Sequence, residues 1–339
     1  MRALFIGGTG TISSAISALA VEKGIELYLL NRGNRPGFVP KNAKVITADI
    51  NDEESVKRQI SGLSFDVVAD FIAFEPAHVL RDWRLFGGSV KQYIFISSAS
   101  AYQKPLSSPV ITESTPLCNP FWDYSRNKIA CEDALMEKYR SAGFPVTIVR
   151  PSHTYSDTSV PVAVHGRNGS FSVIERIRKG KKVIVHGDGT SLWTLTHNTD
   201  FAKAFVGIMD NPHAIGEAYN ITSDEMLTWN QIYDIIGGAL GVKPSLVHIP
   251  SDVLAALHPP FYGGLLGDKA HSVVFDNTKI KRAVPGFAAA VRFDMGVRQA
   301  LAYIYGNREY QKADPEFDAW CDNLIEAFEG HSASLPRLA

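Results

Sequence analysis

The stretch Arg2–Ser13, which reads RALFIGGTGTIS, decides the fold. Its first residues form a short apolar run that is typical of a buried strand. Three glycines follow, and an alanine-rich stretch from Ala15 to Lys23 then predicts a helix that stops at Gly24. A strand, a glycine turn and a helix in this order are the context of a dinucleotide-binding turn, in which helix N–H groups face a pyrophosphate.

The glycines of this turn have separate tasks. Gly7 permits the tight turn, and Gly10 lets the backbone approach the pyrophosphate. Ser13 stands where the usual pattern has a third glycine, and it is small enough for close packing of helix on strand.

Strand and helix patterns alternate from this turn as far as Pro151. Further strands are predicted over Glu26–Leu30, Lys44–Thr47, Phe65–Phe71, Tyr93–Ile96 and Val146–Val149. A helix is predicted to begin at Asn51, with Glu54 in a capping-box position, and a later one covers 124–142 and stops at Gly143. Strands separated by helices indicate an α/β protein with a doubly wound parallel sheet.

The second half of the chain has longer loops, and the segment His258–Asp268 is predicted to be an irregular loop or lid. A helix over Asp200–Met209 and a strand over Ala218–Ile221 are expected to return to the first domain. The expected division is a dinucleotide-binding domain over 1–165, completed by about 198–224, a substrate-binding region over 166–197 and 225–313, and a C-terminal helix and tail over 314–339.

Composition restricts the class of protein. The chain has 339 residues, 45% of them hydrophobic, which is enough for a large core, and its net charge of -1 disfavours a nucleic-acid or membrane surface. Cys118, Cys131 and Cys321 show no metal or disulfide spacing, so we expect no metal site and a reducing cytoplasm. No stretch has transmembrane length, and the N-terminus does not resemble a signal peptide.

Tyr124 and Lys128 are one helical turn apart and share a helix face. A lysine ammonium beside a phenol favours the phenolate, and such a tyrosine can exchange a proton with a hydroxyl or carbonyl group. The spacing alone is common on solvated helices, so its meaning depends on the upstream turn.

Four motifs occur in order: the glycine turn, the run Ile96–Tyr102 (ISSASAY), Tyr124-x-x-x-Lys128 and Arg150-Pro151. Together they resemble the extended short-chain dehydrogenases/reductases, the NAD(P)-dependent epimerase/dehydratase group. The resemblance implies a Rossmann-like doubly wound parallel sheet with a smaller C-terminal substrate-binding α/β region. It also implies a possible homodimer formed through the helix that carries Tyr124.

The resemblance assigns roles by position. Tyr124 would be the catalytic acid/base, Lys128 its partner and a ligand of the nicotinamide ribose, and Ser98 the donor to the reacting oxygen. Ser97 and Ser100 remain rivals for the role of Ser98. The cofactor would also contact Gly7, Gly10, Thr11, Ile12, Asn31, Arg32, Asp49, Ile50, Phe71 and Ala73.

Cofactor choice depends on the end of the second strand. An acid there would bind the ribose hydroxyls of NAD, but the chain has Asn31. Arg32 can pair with a 2′-phosphate or lie on the adenine, which favours NADP over NAD. Asp49 is expected to contact the adenine.

Departures from the family pattern narrow the chemistry. Ala99 and Ser100 occupy the places of the Asp-Glu pair of family dehydratases, so dehydration is not expected. Trp193 stands where nucleotide-sugar epimerases have a diphosphate-binding arginine. Ser100, His153, Tyr155 and Trp193 are therefore predicted to line a pocket for an uncharged sugar face, although the last three could equally belong to the core.

The leading hypothesis is an NAD(P)-dependent epimerase that acts on a sugar or sugar derivative by reversible hydride transfer. One alternative is an NAD(P)-dependent sugar or sugar-acid dehydrogenase, from which the cofactor dissociates. A second alternative is a non-catalytic nucleotide- or RNA-binding relative, similar to the chloroplast stem-loop RNA-binding proteins.

Overall fold

A computed structural model describes residues 1–333, with side chains described as far as residue 330. The strands are β1 Arg2–Ile6, β2 Glu26–Asn31, β3 Lys44–Thr47, β4 Val67–Asp70, β5 Gln92–Ile96, β6 Val110–Ile111, β7 Val146–Pro151, β8 His153–Tyr155, β9 Lys182–His186, β10 Leu192–Trp193, β11 Leu195–His197, β12 Ala218–Ile221, β13 Leu227–Thr228, β14 Ser245–Ile249 and β15 Val274–Phe275. The helices are α1 Ser13–Glu22, α2 Glu53–Ile60, α3 Pro76–Phe86, α4 Asp123–Ala142, α5 Phe171–Arg178, α6 Asn198–Ile208, α7 Trp229–Leu240, α8 Ser251–Leu257, α9 Phe261–Gly264, α10 Thr278–Ala283, α11 Phe293–Gly306 and α12 Pro315–Ala333.

The central sheet has seven strands in the order β12-β7-β5-β4-β1-β2-β3, and every neighbouring pair is parallel. The predicted doubly wound parallel sheet is therefore confirmed. The strand order reverses between β1 and β4, and ligands of such sheets bind beyond the carboxyl ends of the strands at this switch point.

Alternating side chains of the strands build two cores, one on each face of the sheet. Phe5 and Leu29 belong to the core that is covered by α1 and α6. Leu4 and Leu30 belong to the opposite core, where α3 packs beside α4. Burial on both faces explains why the strands read as continuous apolar runs. It also fixes the register of the sheet, which determines where each strand delivers its carboxyl end.

The chain divides into two compact units. Unit 1 comprises Met1–Thr154, Thr196–Asp224 and Phe275–Ala290, and unit 2 comprises Tyr155–Leu195, Glu225–Val274 and the chain from Val291. The expected division differs in two places, because the first boundary falls before 165 and the segment 275–290 returns to unit 1. Ile280 of this segment is buried in the core beneath α6, which accounts for the return.

Unit 2 contains the parallel pair β9–β14, the antiparallel pair β10–β13 and the helices α5, α7, α8, α9, α11 and α12. Its C-terminal helix α12 is attached to α5 by the buried Arg176, whose guanidinium contacts Asp318 at 2.6 Å and Asp322 at 2.7 Å. The C-terminal tail that was expected after this helix, 334–339, lies outside the described residues.

Two predictions of local structure were wrong. Helix α2 begins at Glu53 rather than Asn51, because the Asp52 side chain accepts a hydrogen bond from the Ser55 amide and caps the helix. The segment His258–Asp268 is not an irregular loop: it contains α9 and a π-helical turn, Leu265–Lys269. Paired prolines before an apolar run suit a helix start as well as a loop, so the local sequence does not distinguish the two.

Candidate active site

The glycine turn between β1 and α1 has backbone angles that other residues avoid. Gly7 and Gly8 have φ angles of 104° and 75°, and a Cβ on Gly8 would lie 2.6 Å from a methyl group of Leu29. The hydroxyl of Ser13 accepts a hydrogen bond from the Gly10 amide at 2.9 Å. Ser13 therefore closes the turn as well as fitting it, and no side chain caps the N-terminus of α1.

A cleft of about 550 Å³ lies over this turn, at the switch point of the sheet. Its lining includes nine of the residues predicted to contact a cofactor: Gly7, Gly10, Thr11, Ile12, Asn31, Arg32, Asp49, Ile50 and Phe71. The sequence analysis missed other lining residues, namely Thr9, Ser13, Leu30, Asn34, Arg35, Ala48, Asn51, Ile72 and Ile96. Ala73 and Lys128 do not line the cleft.

Polar groups in the cleft fit a dinucleotide. The Nδ2 atom of Asn31 is buried and makes no hydrogen bond with any described residue, while its Oδ1 accepts from the Gly33 amide. Arg35 donates to the Thr9 carbonyl at 3.0 Å, and Arg32 lines the same cleft. Together with the N-terminus of α1, these groups supply donors and positive charge for an anionic ligand.

A buried ionic cluster supports one wall of this cleft. Arg81 donates to Asp70, Asp82 and the side chain of Asn51, and Asp70 accepts from the Ile72 amide at 2.6 Å. Burial, with the nearby Asp82 carboxylate, raises the pKa of Asp70 well above its usual value. Asn51 and Ile72 line the cleft, so the cluster holds two lining residues in place. The sequence around Arg81 does not indicate that this residue supports the wall of the cleft.

Lys128 lies in the interior beside the cleft. Its Nζ atom donates to the carbonyls of Ala73 and Ile96, each at 2.7 Å, and lies 4.7 Å from the ring centre of Phe74. Burial lowers the pKa of Lys128 to about 8. Since Ile96 lines the cleft, one hydrogen bond joins the ammonium to the wall of the cleft, and the Ala73 carbonyl accepts a second hydrogen bond from it.

Tyr124 is the second residue of α4 and is half-buried. Its ring centre lies 5.8 Å from Lys128 Nζ, which agrees with the shared helix face that the spacing predicts. Trp122 and Phe74 flank the phenol ring, with ring centres 4.9 Å and 6.3 Å away. The aromatic neighbours were not foreseen, although Trp122 is only two residues from Tyr124.

The three rival serines have different surroundings. Ser97 is buried, and its hydroxyl donates to Glu132. Ser98 is half-buried and precedes a 3₁₀ turn, where its Oγ accepts from the Ser100 amide at 3.2 Å. Ser100 is buried, and its Oγ lies 2.9 Å from Ser98 Oγ and accepts from Ser125 at 2.8 Å. Of the three, only Ser98 has appreciable exposure.

Behind these serines lies a second buried ionic cluster that sequence reasoning missed. Glu132 pairs with Arg150 at 2.5 Å, and Arg150 also donates to the Tyr102 hydroxyl at 3.0 Å. Burial opposes the charge of Arg150, but its hydrogen bonds and Coulombic attraction to Glu132 and Tyr102 together outweigh burial and raise the pKa of Arg150. The cluster joins β7, α4 and the segment that follows Ser98.

The predicted substrate residues have separate environments. Tyr155 and Trp193 belong to unit 2, are almost fully buried, and pack against Phe293 and Trp229 with ring centres 5.6 Å and 5.3 Å apart. This packing is typical of core residues. His153 is half-buried and lies next to the last residue of the first segment of unit 1.

Asn198, at the start of α6, also contributes to the glycine turn. Its side chain donates to the Thr11 carbonyl at 2.9 Å.

No helix within residues 1–333 combines the length and apolarity that a bilayer crossing requires. Across the side chains that the structure describes, no group of three His, Cys, Asp or Glu residues could hold a metal ion.

A glycine turn at the switch point of a doubly wound sheet, beside a Tyr-x-x-x-Lys helix, defines an oxidoreductase-type enzyme of the extended short-chain dehydrogenase/reductase class. The chain belongs to the NAD dependent epimerase/dehydratase family, whose model matches residues 3–222.

Relatives of the chain carry different descriptions. It is 22% identical over 255 residues to the 2'-dehydrokanamycin reductase of Streptomyces kanamyceticus, covering 74% of this chain and 70% of that protein. It is 26% identical over 261 residues to the chloroplast stem-loop binding protein of 41 kDa b of Arabidopsis thaliana, covering 73% and 65%. The chain covers only 59% of the length of a third relative.

Among solved structures, the epimerase Mth375 of Methanothermobacter thermautotrophicus superposes with a TM-score of 0.74 at 18% identity. The match covers 91% of this chain and 93% of that one. It supports the fold.

Proposed function

We propose that the protein is an NAD(P)-dependent epimerase that acts on a sugar or sugar derivative by reversible hydride transfer. One observation carries the proposal, which is the position of the Lys128 ammonium between the cleft and Tyr124. The ammonium donates a hydrogen bond to the carbonyl of Ile96, which lines the cleft, and it also lies beside the Tyr124 ring. A proton-transferring phenol therefore adjoins the wall of the cofactor site.

Tyr124 is the acid/base of this proposal. As phenolate it accepts the proton of a substrate hydroxyl while the bound nicotinamide cofactor supplies the hydride acceptor, and it returns the proton when the carbonyl is reduced. Lys128 favours the phenolate through its positive charge, and Ser98 orients the reacting oxygen. Dehydration is not part of the proposal, because Ala99 and Ser100 provide no carboxylate.

For the cofactor we propose NADP over NAD. Arg32 and Arg35 both line the cleft near Asn31, and guanidinium groups bind a phosphate through paired hydrogen bonds. Arg32→Ala and Arg35→Ala should each weaken NADP binding by about tenfold and NAD binding much less. Equal losses for both cofactors, measured by calorimetry, would contradict this preference.

A second candidate is an NAD(P)-dependent sugar dehydrogenase or ketoreductase. The relative described as 2'-dehydrokanamycin reductase favours it, as does Trp193 in the place of a diphosphate-binding arginine. The relative described as a stem-loop binding protein suggests RNA binding as a further possibility. The presence of Ser98, Tyr124 and Lys128 in this chain argues against a purely RNA-binding role.

The test begins with denaturing purified protein and identifying the nucleotide that it releases. A stoichiometric, tightly held nucleotide supports an epimerase, and a cofactor-free protein that turns over added NAD(P) with a sugar supports the dehydrogenase. Tyr124→Phe should abolish activity and leave cofactor affinity unchanged, whereas Tyr139→Phe on the same helix serves as the control. Full turnover by Tyr124→Phe would refute the proposed mechanism.

A further inference from the structure

Three serine hydroxyls form a continuous chain at the predicted acid/base site. The chain runs from Ser125 on α4 through Ser100 to Ser98, with Oγ–Oγ distances of 2.8 Å and 2.9 Å. Ser100 and Ser125 are buried, and Ser98 is half-buried. We call these three residues the hydroxyl chain.

The backbone around Ser100 is held firmly in place. The side chain of Asn119, which is also buried, donates to the Ser100 carbonyl at 2.7 Å. The Ser100 amide donates to Ser98 Oγ at 3.2 Å. Both ends of the Ser100 residue are thus occupied, and its hydroxyl cannot rotate towards solvent without leaving the hydroxyl chain.

The link between Ser125 and Ser100 gives the hydroxyl chain a starting direction. Ser125 donates its proton to Ser100 Oγ, so the proton of Ser100 is available for Ser98 Oγ. Either hydroxyl can be the donor between Ser100 and Ser98, and when Ser100 donates, Ser98 Oγ accepts from both the hydroxyl and the amide of Ser100. A hydroxyl oxygen has two acceptor positions and one proton. With both acceptor positions filled, Ser98 can interact with a further group only as a donor.

We propose that Ser100 and Ser125 are positioning residues that keep Ser98 a hydrogen-bond donor to the reacting oxygen, an inference that rests on the proposed function. A substrate hydroxyl that accepts from Ser98 would direct its own proton to Tyr124, and a bound nicotinamide cofactor would accept the hydride that leaves the carbon. In the reverse direction, Ser98 would donate to the ketone oxygen, Tyr124 would return its proton to that oxygen, and the reduced cofactor would supply the hydride to the carbon. Ser100 therefore acts through Ser98 rather than by touching the substrate.

The test is a double-mutant cycle on turnover of a sugar substrate by the full chain. Ser100→Ala and Ser125→Ala should each lower kcat by about fivefold, the effect of one neutral hydrogen bond, with KM and cofactor affinity unchanged. In a Ser98→Ala background the same substitutions should have little further effect, because their target is gone. Ser141→Ala, an exposed serine on α4, is the control.

The outcomes separate the two hypotheses. If Tyr124→Phe is inactive and Ser100→Ala turns over like the wild type, the hydroxyl chain is refuted and the proposed function stands. An undiminished loss from Ser100→Ala in the Ser98→Ala background also overturns the inference, since it indicates a separate structural role. Full activity of Tyr124→Phe refutes the proposed function and the hydroxyl chain with it.

Discussion

Replacing Lys128 by methionine tests how the protein accommodates a cation in its interior. Burial lowers the pKa of Lys128 from 10.5 to about 8. At neutral pH the amine is protonated in both the folded and the unfolded chain, so the whole cost of burying the ammonium opposes folding. As the pH rises above about 8, the folded protein releases this proton first and the cost declines until the unfolded chain also loses its proton near 10.5.

The two pKa values give the size of the effect. Relative to Lys128→Met, the wild type should gain about 2 kcal/mol of unfolding free energy between about pH 7 and about pH 9.5. The substitution also leaves the carbonyls of Ala73 and Ile96 without their donor, which costs about 1–3 kcal/mol each. Because that cost does not depend on pH, it cancels when the same pair of proteins is compared at the two pH values.

Urea denaturation of both proteins at both pH values provides the measurement. Lys41→Met is the control, since the Lys41 side chain is exposed and its removal should alter stability equally at either pH. The reasoning fails if the gap between wild type and Lys128→Met stays constant, or if it moves in favour of the variant as the pH rises.

Three further substitutions test other parts of unit 1. Glu132→Gln leaves the buried Arg150 without its carboxylate and should lower the unfolding free energy by about 3–5 kcal/mol, so a loss below about 1 kcal/mol in urea would be unexpected. Gly8→Ala places a Cβ at a positive φ and should cost about 1–2 kcal/mol by the same assay, and a neutral result would contradict the turn geometry. Asn198→Ala removes the hydrogen bond to Thr11 and should weaken cofactor binding several-fold by calorimetry, whereas unchanged affinity would show that the turn holds its shape unaided.

The parts of the fold that the sequence predicts are those with a local signal. Neighbouring residues alone predict three such elements, namely the strand before Gly7, the strand Ala218–Ile221 and the end of α4 at Gly143. Gly143 has a φ of 67°, the left-handed conformation that ends helices at glycine. Nine residues that the family resemblance assigns to cofactor contacts also line the cleft, where strand ends meet at one edge of the parallel sheet.

The parts that the sequence did not predict depend on distant partners. Glu132 gives no sign of a buried ion pair because its partner Arg150 lies on β7. Arg81 and its neighbour Asp82 likewise give no sign that Asp70, on β4, completes their cluster. Trp193 shows the same limit, since the sequence allowed a substrate contact or a core position, and its packing against the tilted ring of Trp229 became evident only from the structure. The different burial and hydrogen bonds of Ser97, Ser98 and Ser100 likewise could not be predicted from the sequence.

The interrupted course of unit 1 has a consequence for engineering and evolution. Strand β12 pairs with β7, which is buried along its whole length, yet Tyr155–Leu195 of unit 2 lies between them in the chain. A fragment cut after β7 would expose an apolar edge strand and invite aggregation. Exchanging the inserted segments for others of different length leaves every strand of the sheet intact. Unit 2 can therefore diversify by exchange of its inserted segments, while truncation cannot isolate unit 1 with its sheet complete.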